Sequence, residues 1–315
     1  MEKRPADVFV TAVVSLGLLD MAVTNKEFEE KESDKRLLLY SNSEISEKYL
    51  NKNRPSYIGD FIIMMDKHLN NRWDKIGNSL KTNKPVEVVQ SQASGQDMYD
   101  LAKTNNGIEQ IQMFTHSMYG ISVGPAMMLP KVFDFSIHNR MMDFGGGSGV
   151  YSIQLAKSNP DIPAVVMDLE PVCNVASQYI RDYDLQDGIQ TKVIDFLTSN
   201  DFSKDCDVAL LSHIIHFLGE ENGKLPLKKI YDSLIDNGDS IVLISGWLLN
   251  SEKTGHIPSA LMSLNMIVDQ PEGRTYSFPE VSKMLTDVGF TNIEKKSLAG
   301  PAEIVIGYKK GLDHI

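Results

Sequence analysis

The rhythm of apolar and polar positions along this chain changes once, near residue 140. Before that point the spacing is mostly helical. Residues 5–21 repeat apolar positions at helical intervals and run into an acidic, turn-rich stretch, "TNKEFEEKESDK". "RLLLYSNSEISEKYL" then predicts a short strand followed by a helix capped at Ser43. A second helical block, 56–83, sets Tyr57, Ile58, Phe61, Ile62 and Met65 on roughly one face. "IEQIQMFTHSMYGISVGPAMMLPKVFDF" continues helical and is rich in methionine. Beyond 140, short apolar runs at 140–144, 164–168, 191–194, 208–212 and 240–245 alternate with helical stretches. That alternation predicts an α/β fold with a doubly wound parallel sheet covered on both faces. The last two runs, "NIEKKSL" and "AEIVIGYKK", predict a C-terminal antiparallel hairpin turning through Ala299, Gly300 and Pro301.

Three domains follow from this pattern: a helical N-terminal domain at 1–90, linking helices at 91–135, and the sheet domain at 136–315. Helix, charged hairpin, strand and helix at the start suggest part of a winged-helix unit. DNA contact is disfavoured there, because 7–18 carries no Arg or Lys where a recognition helix needs them.

Composition narrows the partners. With 42% hydrophobic and 23% charged residues, the 315-residue chain has ample material for a core, which argues against disorder. A net charge of −11 opposes nucleic-acid binding and suits an uncharged or cationic small molecule. "SIVLISGWLL" is too short to span a membrane, and "VFVTAVVSLGLLDM" reads as a packed helix, not a secretory signal. Cys173 and Cys206 form neither a disulfide framework nor a metal cluster, which predicts a cytoplasmic location and no metal.

The candidate chemistry begins at "RMMDFGGGSGVYSIQLAKSNPDIPAVVMDLEP". Gly145, Gly146 and Gly147 between a strand and a helix let a ligand reach the backbone and meet the helix N-terminus. No Gly-Lys-Ser follows, so a P-loop is excluded. Asp168, ending the next strand, can accept both hydroxyls of a ribose. Asp195, ending the third, can accept from an adenine amino group, with Phe196 beside the base.

"MMDFGGGSGVYSIQLA", "VVMDLEPV", "VIDFL", "ALLSHIIHFLGEENG" and "GRTYSFPEVSKMLTDVGF" resemble, in order, the motifs of small-molecule O-methyltransferases that use S-adenosylmethionine. The hydroxyindole and caffeate type, including acetylserotonin-like enzymes, is most similar. The resemblance implies a Rossmann-like methyltransferase sheet behind a winged-helix-like N-terminal domain, a homodimer, and S-adenosylhomocysteine as product. It implies that Gly145 and Gly147 approach the methionine end of the cofactor, that Asp168 holds the ribose, and that Asp195 and Phe196 hold the adenine. Asp143, Leu169 and Ser212 fall in the same cofactor-binding set.

His216 falls where that family carries its general base. An imidazole titrating near neutrality can take a proton from a hydroxyl as the methyl group leaves the sulfonium. A small aromatic acceptor is then expected between Met113 and Met118 on one side and Trp247, Met262 and Met266 on the other, with Arg274 as an outer contact. Three acids of the family pattern are replaced here: Phe217 stands for an Asp, Ile244 or Ser245 for a Glu, and Gly273 for a second Glu. Two readings follow: methyl transfer to a hydroxyl of a small aromatic molecule, or a cofactor-binding relative whose catalysis is lost or altered.

Overall fold

The computed structural model describes residues 2–24, 37–86, 104–195, 199 and 201–310. They form two compact units, Met1–Gly59 and Asp60–Ile315. In the first, α1 (Lys3–Ser15) buries none of its residues. The helix expected over 5–21 ends early. Gly17 adopts φ +71°, in the left-handed region that glycine enters without a Cβ penalty. Leu19, Asp20 and Met21 therefore belong to a strand, β1 (Leu19–Thr24), which pairs antiparallel with β2 (Leu37–Asn42). An apolar run of this length suits either element, and pairing with β2 decides it. The acidic stretch at 25–35 lies outside the described residues. Ser43 caps α2 (Glu44–Tyr49) as expected, its hydroxyl accepting from the Ser46 N–H at 3.3 Å.

In the second unit the block expected at 56–83 is two helices, α3 (Gly59–Trp73) and α4 (Ile76–Thr82). Because α3 starts only at Gly59, Tyr57 and Ile58 stand outside it. Met64 is buried, whereas Ile62, a third of a turn or more off that face, is 47% exposed. The methionine-rich segment forms one long helix, α5 (Asn105–Val132), capped by Thr104, whose hydroxyl accepts from the Gly107 N–H at 3.1 Å.

The sheet has seven strands: β3 (Met141–Phe144), β4 (Ala164–Asp168), β5 (Ile189–Val193), β6 (Val208–Ser212), β7 (Ile241–Trp247), β8 (Phe290–Ser297) and β9 (Ala302–Lys309). Their order is β5-β4-β3-β6-β7-β9-β8. The first five are parallel, and β9 runs antiparallel between β7 and β8, closing the expected hairpin. The strand over 191–194 starts earlier than expected, at Ile189, and the one over 240–245 extends to Trp247.

Alternate residues feed two apolar layers. Met141, Val166, Leu210 and Leu243 pack with α5, α6 (Val150–Ser158) and α7 (Glu170–Asp182). Met142, Val165, Leu211 and Val242 pack with α8 (Glu220–Ser233) and α10 (Phe278–Val288), while α9 (Ile257–Asp269) follows β7. Strand order reverses at β3, flanked by β4 and β6, so their C-terminal ends open a crevice of the kind that binds ligands in such sheets. No helix among the described residues is long and apolar enough to cross a membrane.

Candidate active site

The glycine loop leaves β3 with Gly145, Gly147 and Gly149 all at positive φ. Space requires glycine at Gly146: a Cβ there would lie 2.7 Å from the Asp143 carboxyl carbon and 2.9 Å from Val166 Cγ1. At Gly147 a Cβ would meet nothing within 4 Å, so the backbone faces open space. Asp168 fixes that loop from the next strand. One carboxylate oxygen accepts from the Gly147 N–H at 3.0 Å, the other from the Leu169 N–H at 2.8 Å. Burial pushes its pKa up to about 6 against the pull of those two N–H groups.

Asp143 is also buried. Its Oδ2 accepts from Ser152 Oγ at 2.7 Å, and its Oδ1 has no partner among the described residues. Burial raises its pKa to about 6 as well, with Ser152 opposing. Neither acid faces a cation among the described residues, so both suit neutral hydroxyl or ammonium donors from a ligand. Asp195 stands half-buried just past the end of β5, and Phe196 lies outside the described residues.

β6 ends at Ser212, and His213 takes φ +56° there, a conformation His enters more readily than most side chains. A single 3₁₀ turn, Ile215–Phe217, then carries His216. This turn abuts the glycine loop, since a Cβ on Gly145 would lie 2.4 Å from Ile214 Cδ1. Both imidazoles are buried, with ring centroids 5.5 Å apart. Phe217 lies 4.4 Å from His216, and Trp247 lies 6.0 Å from His213. Burial lowers His213 to about 4. It lowers His216 well below the ordinary histidine value, with His213 adding to the effect.

The His213 backbone N–H donates to the Ser245 carbonyl at 2.9 Å, and the Ser245 hydroxyl meets the Tyr151 phenol at 2.8 Å. Burial pushes Tyr151 up to about 12, against the hydrogen bonds of Ser245 and Ser212.

The O-methyltransferase domain family matches residues 73–291. The chain belongs to this O-methyltransferase family. Over 309 residues, 98% of this chain and 82% of the relative, it is 29% identical to 3-hydroxy-5-methyl-1-naphthoate 3-O-methyltransferase of Streptomyces sahachiroi. Over 296 residues, 93% of this chain and 82% of the relative, it is 24% identical to human acetylserotonin O-methyltransferase. The crystal structure of human N-acetylserotonin methyltransferase in complex with SAM superposes with a TM-score of 0.83 at 19% identity. That match covers 99% of this chain and 84% of the other.

The O-methyltransferase uses S-adenosylmethionine, and its residues fit that group. The open backbone at Gly147, the partnerless Asp143 Oδ1 and the Asp168 carboxylate offer a cradle with acceptors at the two adjoining C-terminal ends of β3 and β4. When bound, S-adenosylmethionine supplies an electrophilic methyl on a positive sulfur.

The structure gathers Asp143, Gly145, Gly147, Asp168, Leu169, Ser212, His213, His216 and Trp247 along the C-terminal ends of β3, β4, β6 and β7. Met262 is half-buried on α9, with its sulfur 3.9 Å from Asn265 Nδ2, while Met266 on the same helix is buried. Asn265 also meets Trp73 Nε1 at 3.5 Å. Met118 is half-buried on α5, and Met113 on the same helix is 42% exposed. Arg274 points toward Glu280 at 3.2 Å and Glu220 at 3.6 Å. Tyr151, Ser152 and Ile214 were missed by the motif reading. Only their adjacency to the glycine loop and the histidines hinted at them.

Proposed function

We propose that this O-methyltransferase transfers a methyl group to a hydroxyl of a small aromatic acceptor, with His216 receiving or orienting that hydroxyl. One observation carries the reading: the histidine turn packs directly against the glycine loop through Ile214 and Gly145, which sets a buried imidazole pair beside the cofactor cradle. Transfer is an in-line displacement, so fixing acceptor and donor face to face is most of the catalytic task. The two relatives named above, whose own names state aromatic acceptors, support the same class.

Asp168 would hold the ribose, Asp195 the adenine, and Asp143 and Gly147 the methionine end. Trp247, Met262 and Met266 would form apolar walls for a flat ligand, with Met113 and Met118 contributing from α5. The N-terminal domain (1–90) would serve a homodimer. The exposed side chains of Val8, Phe9, Leu16 and Ile45 support this, because so much apolar surface on one small unit calls for a cover. Two free, buried cysteines accord with a reducing cytoplasm.

Calorimetric titration with S-adenosylmethionine and S-adenosylhomocysteine, alongside product analysis with phenols, tests the reading. Asp168→Ala should weaken cofactor binding by about 10- to 100-fold, the worth of a charge-assisted hydrogen bond. Binding without turnover of any hydroxyl would favour a relative whose catalysis is lost.

A further inference from the structure

Among the described residues the two imidazoles have no acid as a partner. Burial alone acts on His213; burial and then His213 act on His216. The acids that described contacts place near this corner have partners other than the two rings. Glu220 and Glu280 meet Arg274, Glu272 accepts from Asn222, Asp269 pairs with Arg72, and Asp143 accepts from Ser152. Arg274 meets the histidine turn only through its backbone N–H, which donates to the His216 carbonyl at 2.9 Å. Ser245, whose carbonyl accepts from the His213 backbone N–H, offers a hydroxyl tied to Tyr151. Tyr151 stays protonated far above neutrality and is no substitute base.

We propose that this site methylates acceptors whose oxygen is itself acidic, phenols and enols conjugated to a carbonyl, which reach the histidine pair already ionised. The inference rests on the methyl-transfer reading above and narrows its substrate class.

Chemistry favours this choice. Moving a proton from an ordinary phenol to a ring whose basicity burial has lowered is uphill, the more so the less acidic the phenol. An acidic hydroxyl skips that step by losing its proton to solvent before binding. The anionic oxygen then uses a lone pair to form the O–C bond while the C–S bond breaks and sulfur keeps that electron pair. No proton moves in the transfer, and the two opposite charges cancel. A neutral imidazole always retains one N–H, a donor suited to an anionic oxygen. His213 Nε2 is buried without a partner among the described residues. The enclosure by Phe217, Trp247 and the second ring strengthens attraction between opposite charges by excluding water.

The test is kcat/KM against pH for a series of ring-substituted phenols of graded acidity. The midpoint should follow each acceptor's own pKa, and acidic members should exceed ordinary phenols at neutral pH by about 100-fold or more, the usual worth of a general base. A nitrophenol bound together with S-adenosylhomocysteine should show the phenolate absorption band, a readout independent of turnover. Phe217→Asp, which sets a carboxylate beside His216, should raise the rate on ordinary phenols by about 10-fold or more. Ser245→Glu is the second variant should the first fail to fold.

One midpoint shared by all acceptors, with ordinary phenols as fast as acidic ones, overturns the inference and leaves methyl transfer standing. So does nitrophenol bound only in its neutral form. Turnover of no hydroxyl at any acidity, by protein that binds S-adenosylmethionine, overturns both readings.

Discussion

At the N-terminal end of the sheet Asp207 is buried and fully provided for, while at the C-terminal end Asp143 is buried with one oxygen unpartnered among the described residues, and Asp168 is buried with one backbone N–H on each oxygen. Asp207 accepts from the backbone N–H groups of Asn139 and Arg140 and from Asn139 Nδ2, with His138 Nδ1 at 3.7 Å. Burial disfavours its ionised form, yet His138 and these donors outweigh burial and hold it at about 2. At the other end burial wins, and Asp143 and Asp168 rise to about 6. The end of the sheet that builds the scaffold gives its acid donors that outweigh burial, whereas the end that binds holds acids for which burial outweighs the donors. Underprovided acids are thus a physical mark of the site, independent of any motif.

The largest effect should come from stripping the satisfied end. Asp207→Ala leaves several buried donors without an acceptor, at about 1 kcal/mol or more each. Urea unfolding should show a loss of about 3 kcal/mol or more. A loss below about 1 kcal/mol would mean that water replaces the carboxylate, and the contrast between the two ends would collapse.

At the underprovided end the sign reverses. The folded Asp143 carboxyl keeps its proton up to about pH 6, whereas the unfolded chain releases it near the ordinary aspartate value of 3.8. Stability from this group therefore rises as pH falls through that window, and its ionised form costs up to about 3 kcal/mol above it. Asp143→Asn should stabilise the cofactor-free protein at pH 7 to 8 by up to about 3 kcal/mol, a gain that vanishes near pH 4. The same variant should bind S-adenosylmethionine more weakly. Thermal melts of variant and wild type across pH decide it, and a gain that is constant with pH would remove ionisation as the cause.

Much of this contrast is legible along the chain, because strands buried on both faces read as continuous apolar runs and their last residues fall at the crevice. Asp168 and Asp195 were readable as strand-end acids for that reason. The partner of an acid is not readable in the same way. Asn139 meets Asp207 across 68 positions, and Tyr151 meets Ser245 across 94; sheet register brings both pairs together. The histidines were found by position, but their weakened basicity depends on what encloses them. In α1 the limit is different: an apolar run suits helix or strand, and only Gly17 and the pairing of β1 with β2 end the helix at Ser15.

The smallest effect should mark where the binding end stops. Arg274 is 41% exposed in its side chain, bridges Glu220 and Glu280, and lies over the Tyr276 ring at 4.8 Å. Exposed ion pairs contribute at most about 1 kcal/mol, so Arg274→Ala should shift stability by no more than that. Its backbone N–H on the His216 carbonyl survives the substitution, so the histidine turn should hold its place. Cofactor affinity by calorimetry should then be unchanged and acceptor KM altered by less than about 3-fold. A KM rise of about 10-fold at constant kcat would instead show that the guanidinium contacts the acceptor. An anionic acceptor would be the natural reason, since a cation on the rim could draw it from its two glutamates.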